Sequence, residues 1–218
     1  MHKKNEMRTK IKISVLIFLV LTIIGCQNVE KKEENLNQEE KLLNQKEFGK
    51  LKTENDSLEV EININQFNNW IDLTGRTEEI VCNDSLPIIK LKTDKELKTI
   101  YFHNICWDGS SFQGIKEKNV VEIHNEMIKK NERIFPMDSL KNILRRDIEN
   151  NGKNPRLSEN PNKLTILISY DNEFQNLPNI LNRITKTYEK ITNKTDINIR
   201  LFDKENIKIP PKPKNNRN

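Results

Sequence analysis

Glycine is scarce in this chain, with six in 218 residues. None of them builds a GxGxxG turn or a P-loop, so nucleotide binding has no support. Cysteine is scarcer still: Cys26, Cys82 and Cys106. His103-x-x-Cys106 has ligand-like spacing, but there is no second close pair of the kind structural zinc sites use. On a strand those two positions project to opposite faces. The set His103, Cys106, His124 and Cys82 is therefore not read as a metal site. A Gly-x-Ser-x-Gly elbow is absent, and Asp108-Gly-Ser-Ser reads as a turn rather than a nucleophile. Apolar residues make up 34% of the chain against 32% charged, a balance that fits long solvated segments around one modest core. The chain's one long apolar run, Ile13–Ile24, would rise about 18 Å as a helix, short of a ~30 Å hydrocarbon core.

That run is framed in a telling way. Lys3, Lys4, Arg8, Lys10 and Lys12 precede it, relieved only by Glu6, and a small-residue site follows. A cationic leader, a short apolar stretch and a small-residue site read as an export signal rather than a membrane span. The site itself, Ile23-Ile24-Gly25-Cys26, resembles the bacterial lipobox. The resemblance implies cleavage before Cys26, diacylation of its sulfur and later acylation of its amino group. At roughly 0.8 kcal/mol per buried CH2, two or three acyl chains anchor stably where one is marginal. The expected partner of Cys26 is thus a lipid bilayer, and the expected location the bacterial cell envelope, on its periplasmic or surface side. An uncleaved signal anchor with Cys26 incidental is the alternative. In a bacterial setting Asn55, Asn83 and Asn193 are not read as glycosylation sites.

Residues 1–25 hold five of the 37 Lys and Arg and one of the 32 Asp and Glu, so the remainder carries +1 against +5 for the whole chain. The apparent basicity belongs to the leader, and a nucleic-acid partner is not expected.

Downstream, residues 26–57 alternate acids and lysines and read as a lipidated flexible tether, with an r.m.s. reach of roughly 30 Å. A short solvated helix around Leu36, Leu42 and Leu43 is the alternative. Residues 58–115 read as a β-rich section. Leu58, Val60, Ile62 and Ile64 alternate with polar residues, Thr74-Gly75 reads as a turn, and strands are predicted at Pro87–Lys92 and Leu97–Trp107. From residue 116 to 203 helices enter. Val120–His124 reads as a strand and Glu126–Ile134 as its hairpin partner. A helix carrying Leu140, Ile143, Leu144 and Ile148 is expected, capped at Asp138 or Ser139 and stopped by Gly152. Leu164–Tyr170 reads as a central strand. A second helix presents Leu177, Ile180, Leu181, Ile184, Tyr188 and Ile191, and Ile197–Phe202 closes a βαβ unit, most economically parallel. The Pro- and Lys-rich residues 204–218 read as a solvated tail, or else as a PxxP-like or anion-binding segment.

Residues 120–203 resemble the periplasmic domain of the ExbD/TolR family of envelope energy-coupling proteins. The pattern rests on Val120–Ile123, Ile128 and Ile134 in the hairpin, Pro136–Leu140 opening the helix, and Leu164–Asp171. It continues in Ile180, Leu181 and Ile184 of the second helix and Ile197–Leu201 of the last strand. That family's proton-driven role needs an ionisable Asp in a membrane helix, and Ile13–Ile24 contains no acid. The resemblance therefore implies the family's binding habit alone: dimerisation, and contact with the cell wall (peptidoglycan) or with an envelope partner protein.

Cys82 and Cys106, in an exported chain, are expected to form a disulfide, with two buried free thiols as the alternative. Glu122 and Glu126 are read as exposed strand carboxylates rather than an acid–base pair. Trp70, Tyr101, Phe102, Trp107 and Phe112 are read as core of the β-rich section rather than as a carbohydrate or peptide platform. The expected fold class is α+β: a lipidated tether, a small β-rich section and a C-terminal βαβ-containing domain. No catalytic residue, metal or cofactor is assigned. The expected function is that of a non-enzymatic envelope lipoprotein. An enzyme or metal-binding protein using the His103/Cys106 region is the competing expectation.

Overall fold

The computed structural model describes residues 43–50, 57–106 and 115–203. Cys26, the apolar run before it, Trp107, the Asp108-Gly-Ser-Ser turn, Phe112 and the tail lie outside the described residues. By contact the chain divides into Met1–Gln45 with Lys95–Leu97, and Lys46–Asp94 with Lys98–Asn218. The first unit contributes only the starts of two strands to the described residues. The contacts discussed below belong to the second.

The fold is mixed α+β, as expected, with two sheets and three helices among the described residues. One sheet has the order β1-β4-β3-β2, from β1 (Asn44–Phe48), β2 (Leu58–Glu61), β3 (Ser85–Lys92) and β4 (Glu96–Tyr101). The other has the order β7-β6-β5-β8-β9, from β5 (Val120–His124), β6 (Met127–Lys130), β7 (Arg133–Pro136), β8 (Thr165–Ser169) and β9 (Asn198–Leu201). Strands β5, β6 and β7 form an antiparallel meander, whereas β5–β8 and β8–β9 pair in parallel.

Helix α1 (Trp70–Cys82) lies where a turn at Thr74-Gly75 is predicted. The Asn69 side chain caps it by accepting from the Asp72 N–H at 2.8 Å. Trp70, Leu73, Thr74, Thr77 and Ile80 make its buried face. The threonines settle there by donating to Trp70 and Leu73 carbonyls one turn back, the bond that lets a hydroxyl sit inside a helix. Thus the β-rich section, 58–115, carries a helix between β2 and β3. Its aromatics are core, as expected where described: Trp70, Tyr101 and Phe102 are fully buried. Trp70 packs on Tyr170 and Phe174 with ring centroids 5.1 and 5.8 Å apart. Its indole N–H donates to the Phe202 carbonyl at 3.0 Å.

The stretch read as tether, 26–57, is folded at its end, since β1 buries Phe48 completely. Gly49 follows with φ +88°, where an added Cβ would lie 2.9 Å from the Tyr101 carbonyl oxygen. Only glycine fits this close approach without strain. Strand β4 is shorter than predicted, ending at Tyr101. Beyond it the His103 N–H donates to the Ile199 carbonyl, and Asn104 brackets the Leu201 backbone by giving to its oxygen and accepting from its nitrogen. One side-chain amide here stands in for a strand neighbour of β9.

Helices α2 (Leu140–Ile148) and α3 (Leu177–Thr192) bury the faces their periodicity predicts, and the βαβ unit of β8, α3 and β9 is parallel. Ser139 occupies the N-cap position of α2 without a side-chain cap bond, behind a short turn at Met137–Ser139. Helix α3 stops at Asn193, whose φ of +54° is the left-handed C-cap geometry. The predicted hairpin partner Glu126–Ile134 is instead two strands, broken at Asn131-Glu132. Those residues have φ of +50° and +62°, the sign a two-residue hairpin turn requires.

Candidate functional site

The predicted disulfide is present, joining Cys82 at the end of α1 to Cys106 beyond β4. Both sulfurs are thereby unavailable as thiolate ligands or nucleophiles in this state. His103 does not pair with Cys106; its Nε2 lies 2.6 Å from the Gly49 carbonyl oxygen. Among the described residues, no three His, Cys, Asp or Glu side chains gather where a metal could sit.

His124 belongs to a different cluster. The register that sets it opposite Ser169 on the parallel strand β8 brings its Nδ1 to 2.9 Å from Ser169 Oγ. Its Nε2 is 3.4 Å from Asp171 Oδ1. Asn125 closes the group, donating to Asp171 Oδ2 at 2.6 Å and accepting from the Asp171 N–H. Serine, histidine and aspartate in line invite a hydrolase reading, but the exposures run the wrong way. Ser169 is 1% exposed and the Asp171 side chain 69%. A nucleophile must meet substrate and its orienting carboxylate must be shielded. This cluster ties the ends of β5 and β8 together. Nearby, Glu126 lies half-buried in the turn and accepts from Asn176 at 2.7 Å. The Glu122 side chain on β5 is only 15% exposed, 3.8 Å from Lys129, so neither is the exposed strand carboxylate expected. Burial, and secondarily the Glu126 charge, raise the pKa of the neighbouring Tyr170 phenol.

A groove of about 720 Å3 lies at the other end of β5. Its floor is a buried polar network. Lys130 Nζ donates to the Lys118 and Val120 carbonyls at 2.7 and 3.0 Å and pairs with Asp147 Oδ1 at 3.0 Å. Burial lowers the Lys130 pKa and the Asp147 carboxylate opposes that shift. All three ammonium donors are occupied, so Lys130 fixes structure and is not free to act as a base or nucleophile. Asp147 Oδ1 also accepts from the Ser158 N–H. Ser158 Oγ and the Glu159 N–H both reach Asn119 Oδ1. Asn150 holds the loop after α2 from inside, donating to the Asn154 and Ser158 carbonyls and accepting from the Asn154 N–H.

Over this floor stand three guanidiniums from three separate elements: Arg133 from β7, Arg146 from α2 and Arg156 from the Asn150-braced loop. All three are exposed, and none makes a side-chain hydrogen bond or ion pair among the described residues. Asn131 fixes the last of them by donating to the Arg156 carbonyl at 2.7 Å. By contrast the lysines of this region have an ion-pair partner: Lys116, Lys118 and Lys163 all converge on the Glu159 carboxylate. Those three lysines, Lys118 foremost, hold the Glu159 carboxyl down at about 2. Guanidinium remains charged at any physiological pH, offers no acid–base chemistry there and presents a planar fork of donors to a carboxylate or phosphate. What this arrangement can do is bind an anion.

The arginines were not singled out in sequence. The available signal is that Arg133, Arg145, Arg146 and Arg156, four of nine arginines, fall within 24 residues of a chain that otherwise favours lysine. No family model, curated protein or solved structure compared with this chain matches it.

Proposed function

We propose that this chain is a non-enzymatic lipoprotein of the bacterial cell envelope, held to a membrane through acylated Cys26, that binds a protein partner or the cell wall through residues 116–203. The observation that carries the binding reading is the groove: three arginines without side-chain partners among the described residues, above a floor where all three Lys130 ammonium donors are occupied. Ligand pockets of this size, with a few convergent charged groups, suit recognition. The order hairpin, helix, strand, helix, strand in β5–β9 is the order that the ExbD/TolR resemblance implies, and it supports the same reading. The competing enzyme or metal reading needs a free Cys106 and an available His103, and the disulfide and the Gly49 contact occupy them.

The test uses the full chain and its Cys26→Ser variant in a bacterial host. Wild type is expected in the membrane fraction with the mass of an acylated, processed protein, and the variant without acyl groups. Capture from solubilised envelopes is then run beside a metal and hydrolase activity screen. An unacylated wild-type chain would sink the lipoprotein reading. Activity that vanishes on replacing His103 and His124 would replace the binding reading with the enzymatic one.

A further inference from the structure

We infer that the arginine groove is a docking site for an acidic, extended peptide segment of a partner protein, an assignment that rests on the binding reading above and names its ligand. Three features of the lining select the class. Arg133, Arg146 and Arg156 enter one groove of about 720 Å3 from a strand, a helix and a loop, and supply it with three separate cations. A ligand with several separated carboxylates fits them better than a single small anion. Phe135, Ile143 and Leu157 give the same groove apolar wall, which covers aliphatic side chains between the carboxylates and has nothing to offer a bare phosphate chain.

Glu117 and Glu132 also line it, and neither side chain makes a hydrogen bond among the described residues. They repel a closely spaced polyanion and accept N–H groups, which a peptide has and a polyphosphate lacks. The rigid floor adds to the selection. Lys130, Asp147, Asn150 and Ser158 brace α2 and the loop carrying Arg156 by hydrogen bonds, and β7 is held by its pairing with β6, so little ordering entropy is lost on docking.

The experiment is a fluorescence titration of the full chain in detergent with a labelled hexapeptide, Glu-Leu-Glu-Val-Glu-Leu. The Arg133→Gln/Arg146→Gln double variant is expected to weaken binding by at least about tenfold, since two charge-assisted contacts are removed. Arg145→Gln, beside the groove on α2 but paired with Glu149, is expected to leave it unchanged. Raising salt from about 50 to 300 mM weakens the wild type more than the double variant. Both variants change exposed side chains, and thermal midpoints check that they stay folded. Equal affinity in the double variant overturns the site. Equal binding of the Gln-Leu-Gln-Val-Gln-Leu peptide overturns the charge readout. Tighter binding of tripolyphosphate or of soluble cell-wall fragments overturns the peptide assignment. None of these results depends on Cys26, so loss of the anchoring reading leaves this one standing, and the reverse.

Discussion

Two Asn-Glu turns stand at opposite ends of strand β6, and they have different fates. Asn125-Glu126 and Asn131-Glu132 share a sequence and a backbone, both residues of each turn having positive φ. At the first turn every polar side chain finds a protein partner: Asn125 holds Asp171, Glu126 holds Asn176, and His124 sits between Ser169 and Asp171. At the second turn Asn131 holds the Arg156 backbone, while Glu132 and the three arginines face open groove. The first end has catalytic residue types whose polar groups bond one another, with Ser169 buried. The second has unremarkable types and unpaired charge. Residue identity alone would favour the first end; the state of their hydrogen bonds favours the second.

The largest test of this contrast is on the floor of the groove. Lys130→Met strands the Asp147 carboxylate in a site that is about 1% exposed at its side chain. Breaking a buried pair in this way costs about 3–5 kcal/mol, read in urea melts. Lys130→Met/Asp147→Leu should recover much of that loss, because no lone charge remains. If the double variant is no better than the single one, the pair is not the unit holding the groove.

The Cys82–Cys106 disulfide belongs to neither end and serves as a yardstick. Replacing both cysteines by serine opens a loop whose cysteines are 24 residues apart. The cost should be about 3 kcal/mol, with affinity for the acidic hexapeptide unchanged. Before that, non-reducing mass spectrometry should find the native protein lighter than its reduced form by two hydrogens. Equal masses would remove the bridge.

At the other end, Ser169→Ala removes one hydroxyl from His124 and should cost about 1 kcal/mol, well below the Lys130 effect. A fluorophosphonate reagent should leave Ser169 unlabelled in the folded protein. Covalent labelling there would overturn the reading of this end as structural.

Much of the architecture was legible where period and length agreed. The Leu140–Ile148 and Leu177–Ile191 faces, the apolar Leu164–Tyr170 strand and the parallel βαβ are present as read. Helix α1 was hidden because two of its core positions are threonines and Gly75 interrupts it; an added Cβ at Gly75 would meet nothing, so the glycine marks no turn. Strand β1, Asn-Gln-Lys-Glu-Phe, shows no alternation, and its one apolar anchor, Phe48, is placed by tertiary packing. The second hairpin turn lacks the usual Asn-Gly signal. The groove was illegible for a topological reason. Arg133, Arg146 and Arg156 meet only once β7, α2 and the Asn150-braced loop are folded, and no local spacing encodes that convergence.

The smallest effect sharpens the contrast from within the groove end. Glu159 pairs with Lys118, Lys116 and Lys163 there, whereas Arg133, Arg146 and Arg156 have no carboxylate partner among the described residues. Its folded pKa, about 2, lies below the ordinary glutamate value of about 4.3. A depressed carboxyl contributes stability that is present above its unfolded pKa and lost as pH falls through its folded one. Glu159→Gln should therefore be slightly less stable than wild type at neutral pH, with the gap closing between about pH 4.3 and 2. The same change leaves Lys118, which lines the groove, without its carboxylate. It should then bind the acidic hexapeptide more tightly, by less than the arginine substitutions weaken it. A stability gap that persists unchanged to pH 2 would show that Glu159 acts through packing alone. Unchanged affinity would show that Lys118 lies beyond the path of the peptide, leaving its carboxylates to the arginines.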